Sequence, residues 1–524
     1  MLFVNAPCDG LGVSAAETPC TAAAKPWILT ATILASSMAF IDSTVVNVAL
    51  PALQAAFHGT VIDVQWVVES YGLFLAALIL IGGLLGDLFG RRRIFLAGVT
   101  LFTAASVVCG IAANIRELIF ARSIQGVGAA FLIPGSLAII STSFDEKSRG
   151  RAIGTWSGFT ALTMAFGPVL GGWLVEYASW RWVFFINVPL AVAIFTISLW
   201  RIPESRSVNP RRVDWLGAIL ATVGLFGLVN GLIESNNVGW RNPLVFGSLA
   251  IGLGCLVTLA FVEGRTAEPM IPPGLLRNSS FSGANLLTLF LYAAIGIFFF
   301  LFPMNLIQVQ QYSSTATGAA ILPFVLLIFL LSRWSGGLVA RYGPRLPLIA
   351  GPLIVALGFV LFAVPSTAVN YWKAFFLPVI VLGLGMAVTV PPLTTVVMNS
   401  VDQNRVGTAS GINNAVARLA SVLAIAVLGI VMVYAFRSRL DHALGHLSLP
   451  SGVLHELHGH ENQLAGLQPP VNVDPGTSAE IKKFIREAFV VGFREVMLIC
   501  ATLSVASAAI TWIMIPKEPL PPAP

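Results

Sequence analysis

Charge is scarce in this chain. Only 10% of its 524 residues are Asp, Glu, Lys or Arg, while 56% are hydrophobic. A soluble domain carries about 25% charged residues, so lipid must be the solvent for most of the surface. The sequence also lacks the alternation of period two, in segments of about ten residues, that a membrane β-barrel needs. Lipid offers the backbone no hydrogen bonds, which leaves helices. No GxxxxGK[ST] loop is present to cradle a nucleotide. The five cysteines (Cys8, Cys20, Cys109, Cys255, Cys500) show no CxxC spacing, which argues against a disulfide framework or a zinc site. With no nucleophile–base or metal-ligand constellation, enzyme classes, resident metals and cofactors find no support. The first ~25 residues hold Asp9 and Glu17 and lack the basic start and short apolar stretch of a cleaved signal.

What is abundant is apolar sequence in runs of about 20 residues, the length of a membrane-crossing helix. About 14 such runs can be counted. The expected fold is an all-α integral membrane protein of about 14 helices. It divides into a cytoplasmic tail (1–26), six helices over 27–201, two linking helices over 213–262 and six more over 281–515. The fifth helix is expected at 150–174, the thirteenth at 407–434 and the fourteenth at 490–515.

The net charge of +6 suits topology better than nucleic acid. Arg91, Arg92 and Arg93, then Lys147, Arg149 and Arg151, then Arg206, Arg211 and Arg212 follow even-numbered helices. So do Arg265, Arg277, Arg341, Arg345 and Arg405. The short loops on the other side hold little beyond Arg116, Arg181, Arg241 and Lys373. This bias puts both termini in the cytoplasm. One long external loop, 435–488, separates helices 13 and 14. It holds His442, His446, His455, His458 and His460. HELHGH is not the HExxH zinc motif, so a solvated loop without metal is the expectation.

Asp42 lies about 15 residues into the first helix, roughly 22 Å along it. An acid inside hydrocarbon costs several kcal/mol and is functional by default. Depth arithmetic places Glu69 and Arg122 in the same outer half of the bilayer, with Gln125 three residues from Arg122 on the same helix face. A buried carboxyl beside an arginine is poised to titrate. These four residues are therefore proton-coupling candidates, with Asp42 as carrier, Glu69 as helper or alternative, and Arg122 as gate. A structural charge pair is the competing reading for Asp42 and Arg122, and a place at the membrane surface competes for Glu69.

An internal echo links GLLGDLFGRR (83–92) to GGLVARYGPR (336–345), about 250 residues apart. Asp87, where the second helix leaves the membrane, can pair with bases or with a helix N-terminus. With Gly83, Gly90 and Arg91 it forms a candidate conformational latch. In the second copy Ala340 replaces the acid, which predicts a one-sided latch. Gly167, Pro168, Gly171 and Gly172 would make the fifth helix a pliable gate, with tight packing as the alternative. Arg418 falls near mid-membrane and, with Asn47, Asn414 and Tyr292, is a candidate for lining a cavity. Aromatic and sulfur side chains of the ninth helix, Phe298, Phe299, Phe300 and Met304, are weighed for an apolar cargo site against lipid-facing packing. Arg333, nearer the surface, reads as a snorkelling side chain.

Several of these stretches together resemble the major facilitator superfamily, and within it the 14-helix drug:proton antiporters. IDSTVVNVALP (41–51) looks like their first-helix signature and GLLGDLFGRR like the motif between helices 2 and 3. RSIQGVG (122–128) resembles the fourth-helix motif, GPVLGG (167–172) the fifth-helix antiporter motif, and WRWVFFINVP (180–189) is typical of the branch. The likeness is strong over the first ~200 residues. Leu88 stands where the family has a base and Thr163 where it has a glycine.

The resemblance implies two six-helix bundles with two extra central helices, alternating access, and export of lipophilic small molecules in exchange for protons. It places the protein in the inner or plasma membrane. Its partners would be the cargo, protons and membrane lipid, with no nucleic acid. It would act as a monomer, alone or with accessory envelope proteins. An exporter dedicated to one lipid, metabolite or siderophore is the alternative. A transporter-like receptor or assembly protein using the 437–487 loop is a second, separated from the first two by whether deleting the loop spares transport.

Overall fold

A computed structural model describes residues 23–144, 146–206, 214–266, 273–367, 369–401, 406–447, 449–470 and 473–517. Most of the expected tail, with Cys8, Asp9, Glu17 and Cys20, lies outside the described residues. So do Arg211, Arg212 and Arg405, and the side chains of Lys147, Arg149, Arg151, Arg333 and Ala340.

The long helices are α1 (Lys25–Phe57), α2 (Val61–Phe89), α3 (Arg91–Ile111), α4 (Ile115–Ser143), α5 (Glu146–Tyr177) and α6 (Trp182–Arg201). They continue with α7 (Trp215–Val238), α8 (Pro243–Glu263), α9 (Ser279–Val309) and α10 (Ser314–Gly336). The last four are α11 (Arg345–Phe362), α12 (Phe376–Asn399), α13 (Val406–Leu444) and α14 (Pro475–Met514). Among the described residues 13 of them are long and apolar enough to cross a membrane. The 32-residue α5 occupies the place of the expected fifth span, and part of it lies outside the described side chains.

Several of their starts are capped by side chains, which give the first N–H groups of a helix a partner. Thr60 and Asp63 form a reciprocal capping box on α2. Asn114, Asp214, Ser313 and Asp474 cap α4, α7, α10 and α14. Helices α1–α6 form one bundle and α9–α14 the other. In the second bundle Phe298, Phe302, Phe359, Phe362 and Phe375 build an aromatic core. Phe300 and Met304 are as fully buried as that core, so in this arrangement Phe298, Phe300 and Met304 are packing residues. The α7–α8 hairpin closes through Gly227 against Gly252 and leans on α2, with Trp66 and Phe226 rings 5.8 Å apart.

We call the end of the molecule that carries Lys25 and Met514 the terminal face, and the other the loop face. The 435–488 segment departs from expectation. Helix α13 continues to Leu444 and α14 begins at Pro475. Both ends are polar beyond the membrane-length run, holding Arg437, Arg439, Lys482 and Lys483, which is why apolar counting stopped short. The chain between them is folded, with a helix over Ser451–Gly459 and a 3-10 turn over Glu461–Gly466. It forms a cap on the loop face.

The echo is structural as well. Gly90 at φ +112° precedes α3 and Gly343 at φ +75° precedes α11, backbone settings that favour glycine.

Candidate functional site

Asp42 is fully buried in α1, and α4 brings Arg122, also buried, against it. Arg122 Nη1 lies 2.5 Å from Asp42 Oδ2. Gln125, one helical turn along α4, donates to Asp42 Oδ1 at 2.8 Å and accepts from Arg122 Nη1 at 2.8 Å. Arg122 Nε donates to the Val67 carbonyl of α2 at 3.1 Å, and its guanidinium sits 4.3 Å from the centre of the Tyr71 ring. Thus one fork ties three helices together, which a lysine could not do.

Three members of this cluster were not picked out in the sequence. Asn187 donates to Asp42 Oδ1 at 3.2 Å and to Ser106 at 2.9 Å. Ser106 in turn donates to the Phe184 carbonyl at 2.8 Å. Tyr71 closes the layer beneath Arg122. α6 is interrupted at Ile186, between Trp182–Phe185 and Asn187–Arg201, and Asn187 opens the second piece. A signal existed, since a polar side chain in an apolar helix needs a buried partner.

Glu69 does not join them. It is buried in α2, and neither carboxyl oxygen has a hydrogen-bond partner among the described residues. It shares the helix stripe of Gln65, which donates to the Ile425 carbonyl at 3.4 Å, and of Gly72, which packs on Val422. Glu69 therefore belongs to the seam between α2 and α13.

At the terminal face Arg91 donates to Asp87 Oδ1 through Nε at 2.9 Å and Nη2 at 2.7 Å. The pair is local, joining the end of α2 to the start of α3. Glu204, just past α6, accepts from the Arg92 backbone at 3.1 Å and lies 3.6 Å from Arg93 Nε. A Cβ at Gly90 would meet Glu204 at 2.6 Å. Gly83 does not provide the close approach expected of it: a Cβ there would meet only Pro134 at 3.7 Å, whereas at Gly82 it would lie 1.9 Å from the Ala130 carbonyl.

Helix α5 runs unbroken through Pro168, so its glycines act by proximity. Gly167 and Gly171 face Thr44 and Val45 of α1, with Cβ clearances of 2.1 and 2.5 Å. Gly172 faces the Ser314 carbonyl of α10 at 2.2 Å, and Gly318 of α10 faces the Pro168 carbonyl at 2.0 Å.

Among the described residues, the hydrogen bonds that tie one bundle to the other come from the loop-face half. Glu176 accepts from the Thr315 backbone at 3.0 Å, and Gln308 donates to Gln54 at 2.8 Å. Gln54 donates to the Gln463 carbonyl of the cap at 3.0 Å. Nearer the middle, Arg418 of α13 lies 5.3 Å from the Phe40 ring of α1. Asn47, two turns along α1 from Phe40, keeps a buried carbonyl oxygen without a partner. Tyr292 is half-buried on α9, and Asn414 is exposed one turn before Arg418.

The chain resembles known proteins along most of its length. The family model for the Major Facilitator Superfamily matches residues 32–425. The Mycobacterium tuberculosis protein named multidrug resistance protein Stp is 34% identical over 512 residues, covering 94% of this chain and 92% of that one. The Streptomyces glaucescens tetracenomycin C resistance and export protein is 29% identical, covering 94% and 93%. Among solved structures, a bacterial homologue of the human lysosomal transporter Spinster superposes with a TM-score of 0.65 at 19% identity, covering 94% and 97%.

Proposed function

The chain belongs to the major facilitator superfamily and is a multi-pass membrane transporter, not an enzyme, and from that premise we propose that it exports lipophilic small molecules in exchange for protons. Relatives named for multidrug resistance and for tetracenomycin C export support drug-like cargo. The terminal face is cytoplasmic in this reading, because Arg91, Arg92, Arg93, Arg201 and Arg345 lie there. The arrangement described is then closed outside and open inside, since the hydrogen bonds across the seam lie toward the loop face.

The observation that carries the proposal is the buried Asp42–Arg122 pair. Catalysis of exchange needs a site whose charge state depends on conformation. Here Arg122 and Gln125 of α4 and Asn187 of α6 all donate to Asp42, and Arg122 supplies its counter-charge. Any rearrangement that draws α4 from α1 removes its counter-charge, and Asp42 then takes a proton. Glu69, unpaired at the seam, is the second proton site. Asp87 pairs locally with Arg91 while the cytoplasmic side is open and turns to the opposite bundle when it closes.

The test is proton flux in proteoliposomes under a pH gradient, with lipophilic compounds added in turn. Cargo-triggered proton movement is expected for the native protein and lost in Asp42→Asn. Flux that survives in Asp42→Asn but vanishes in Glu69→Gln moves the carrier to Glu69. Cargo movement with no proton flux in the native protein overturns antiport.

A further inference from the structure

Arg418 stands twelve residues past Val406 on α13, roughly 18 Å along the helix and so deep in the membrane. A charge at that depth is expensive unless something compensates it. Arg122 has Asp42; Arg418 has no carboxylate within ion-pair distance among the described residues. What surrounds it is aromatic. The guanidinium lies over Phe40, and the hydroxyls of Tyr71 and Tyr292 are within its electrostatic reach. Phe40 belongs to the first bundle and Arg418 to the second, so the pair faces itself across the seam that opens and closes.

Asp42 and Arg122 pair with each other. Glu69 has no hydrogen-bond partner among the described residues and gives Arg418 no ion pair. Arg418 is thus a half-buried cation with no paired carboxylate among the described residues, facing Phe40 across the seam. A cationic cargo would be repelled there in a low dielectric, whereas an anion would complete the missing pair.

We propose that Arg418 anchors the cargo and selects flat aromatic molecules bearing negative charge, such as a carboxylate or ionised phenol, held by the guanidinium and stacked against Phe40. This rests on the export reading and names the substrate class for it. The guanidinium supplies a charge-assisted, planar fork, and the Phe40 ring supplies the apolar face.

Fluorescein and the cationic ester rhodamine 6G, called rhodamine below, share one xanthene skeleton and carry opposite charge, so they separate the effect of charge from that of the ring system. Binding to the full-length protein in lipid nanodiscs is measured for the native chain, Arg418→Gln and Arg418→Lys, and expulsion of each dye is followed in proteoliposomes. The native chain is expected to bind fluorescein more tightly. Arg418→Gln should weaken fluorescein at least about tenfold, the size of one hydrogen bond to a charged group, and leave rhodamine unchanged or tighter. Arg418→Lys should recover part of the loss.

A native preference for rhodamine, which needs no variant to observe, would overturn the proposal, as would an equal loss of both dyes in Arg418→Gln. Rhodamine bound and expelled without fluorescein sinks the anion anchor and leaves export standing. The export reading fails only when neither dye moves and no compound triggers proton flux.

Discussion

Asp42 receives hydrogen bonds from Arg122, Gln125 and Asn187, which reach it from α4 and α6. Truncating one partner of such a pair strands the other charge, at a cost of about 3–5 kcal/mol. Arg122→Ala should therefore lower thermal stability as well as transport. Arg122→Lys keeps the charge but cannot reach Val67, Asp42 and Gln125 together. It should fold normally and lose at least about tenfold in cargo-driven proton flux; flux at the native level would remove the fork from the mechanism. Asn187→Leu removes one donor to a charged group, worth about 1.5 kcal/mol, and should slow flux with little change in expression. Much of this was legible. Helix rise alone puts Asp42 and Arg122 at one depth, and the three-residue spacing puts Gln125 beside Arg122. Glu69 shares the depth but not the direction, because rotation of α2 about its axis is set by packing on α13. Asn187 and Ser106 are two among several polar residues in apolar helices, and only the bundle geometry brings Asn187 to Asp42 and Ser106 to Asn187.

Among the elements, α5 shows how glycine sets the distance between bundles. A side chain at position 318 would run into the Pro168 carbonyl, 2.0 Å from its Cβ. Gly318→Leu should pry α10 from α5 and disfavour the closed loop face. A thiol probe at Thr315→Cys should then label faster than in the parent, and equal rates would mean that the helices close some other way. The motif of two glycines was visible in the sequence, and of its two readings the close approaches at Gly167, Gly171 and Gly172 speak for tight packing. The cap between α13 and α14 was illegible for a different reason: its order comes from pairing with distant residues. Arg437 holds Glu461 at 3.3 Å and also bonds Asn462, and His458 Nε2 lies 3.1 Å from Asp441 and 3.8 Å from Glu461. Burial, and then the Asp441 carboxylate, push the Glu461 carboxyl up to about 7 against the pull of Arg437 and His458. Because the folded cap holds that proton more tightly than the unfolded chain, its contribution to stability is greatest below the ordinary carboxyl range and is lost as pH climbs from there through about 7. Hydrogen exchange over residues 451–466, corrected for the intrinsic rate, should slow between pH 8 and pH 6. Glu461→Gln should flatten that dependence, and an unchanged profile would assign it to another group.

For the molecule as a whole, the two bundles meet along α2 against α13 and α5 against α10, and the linking hairpin α7–α8 rides on the outside of that seam. The halves are built alike down to the positive-φ glycines Gly90 and Gly343, yet Asp87 has Ala340 as its counterpart, so the carboxylate proposed as a latch is present in one half alone. Closure at the loop face rests on glycine-thin contacts and a few hydrogen bonds. That is the energetic profile of a contact meant to be broken, since a seam worth many kcal/mol would hold the molecule in one state. The Glu176 contact to Thr315 is the place to test it. In a background without other cysteines, Glu176→Cys with Thr315→Cys should be joined by a short bifunctional thiol reagent. Transport should stop on joining and return on cleaving the linker, while each single variant treated the same way keeps transporting. A joined protein that still moves cargo would mean that this face never opens, and alternation between the two ends of the seam would have to be abandoned.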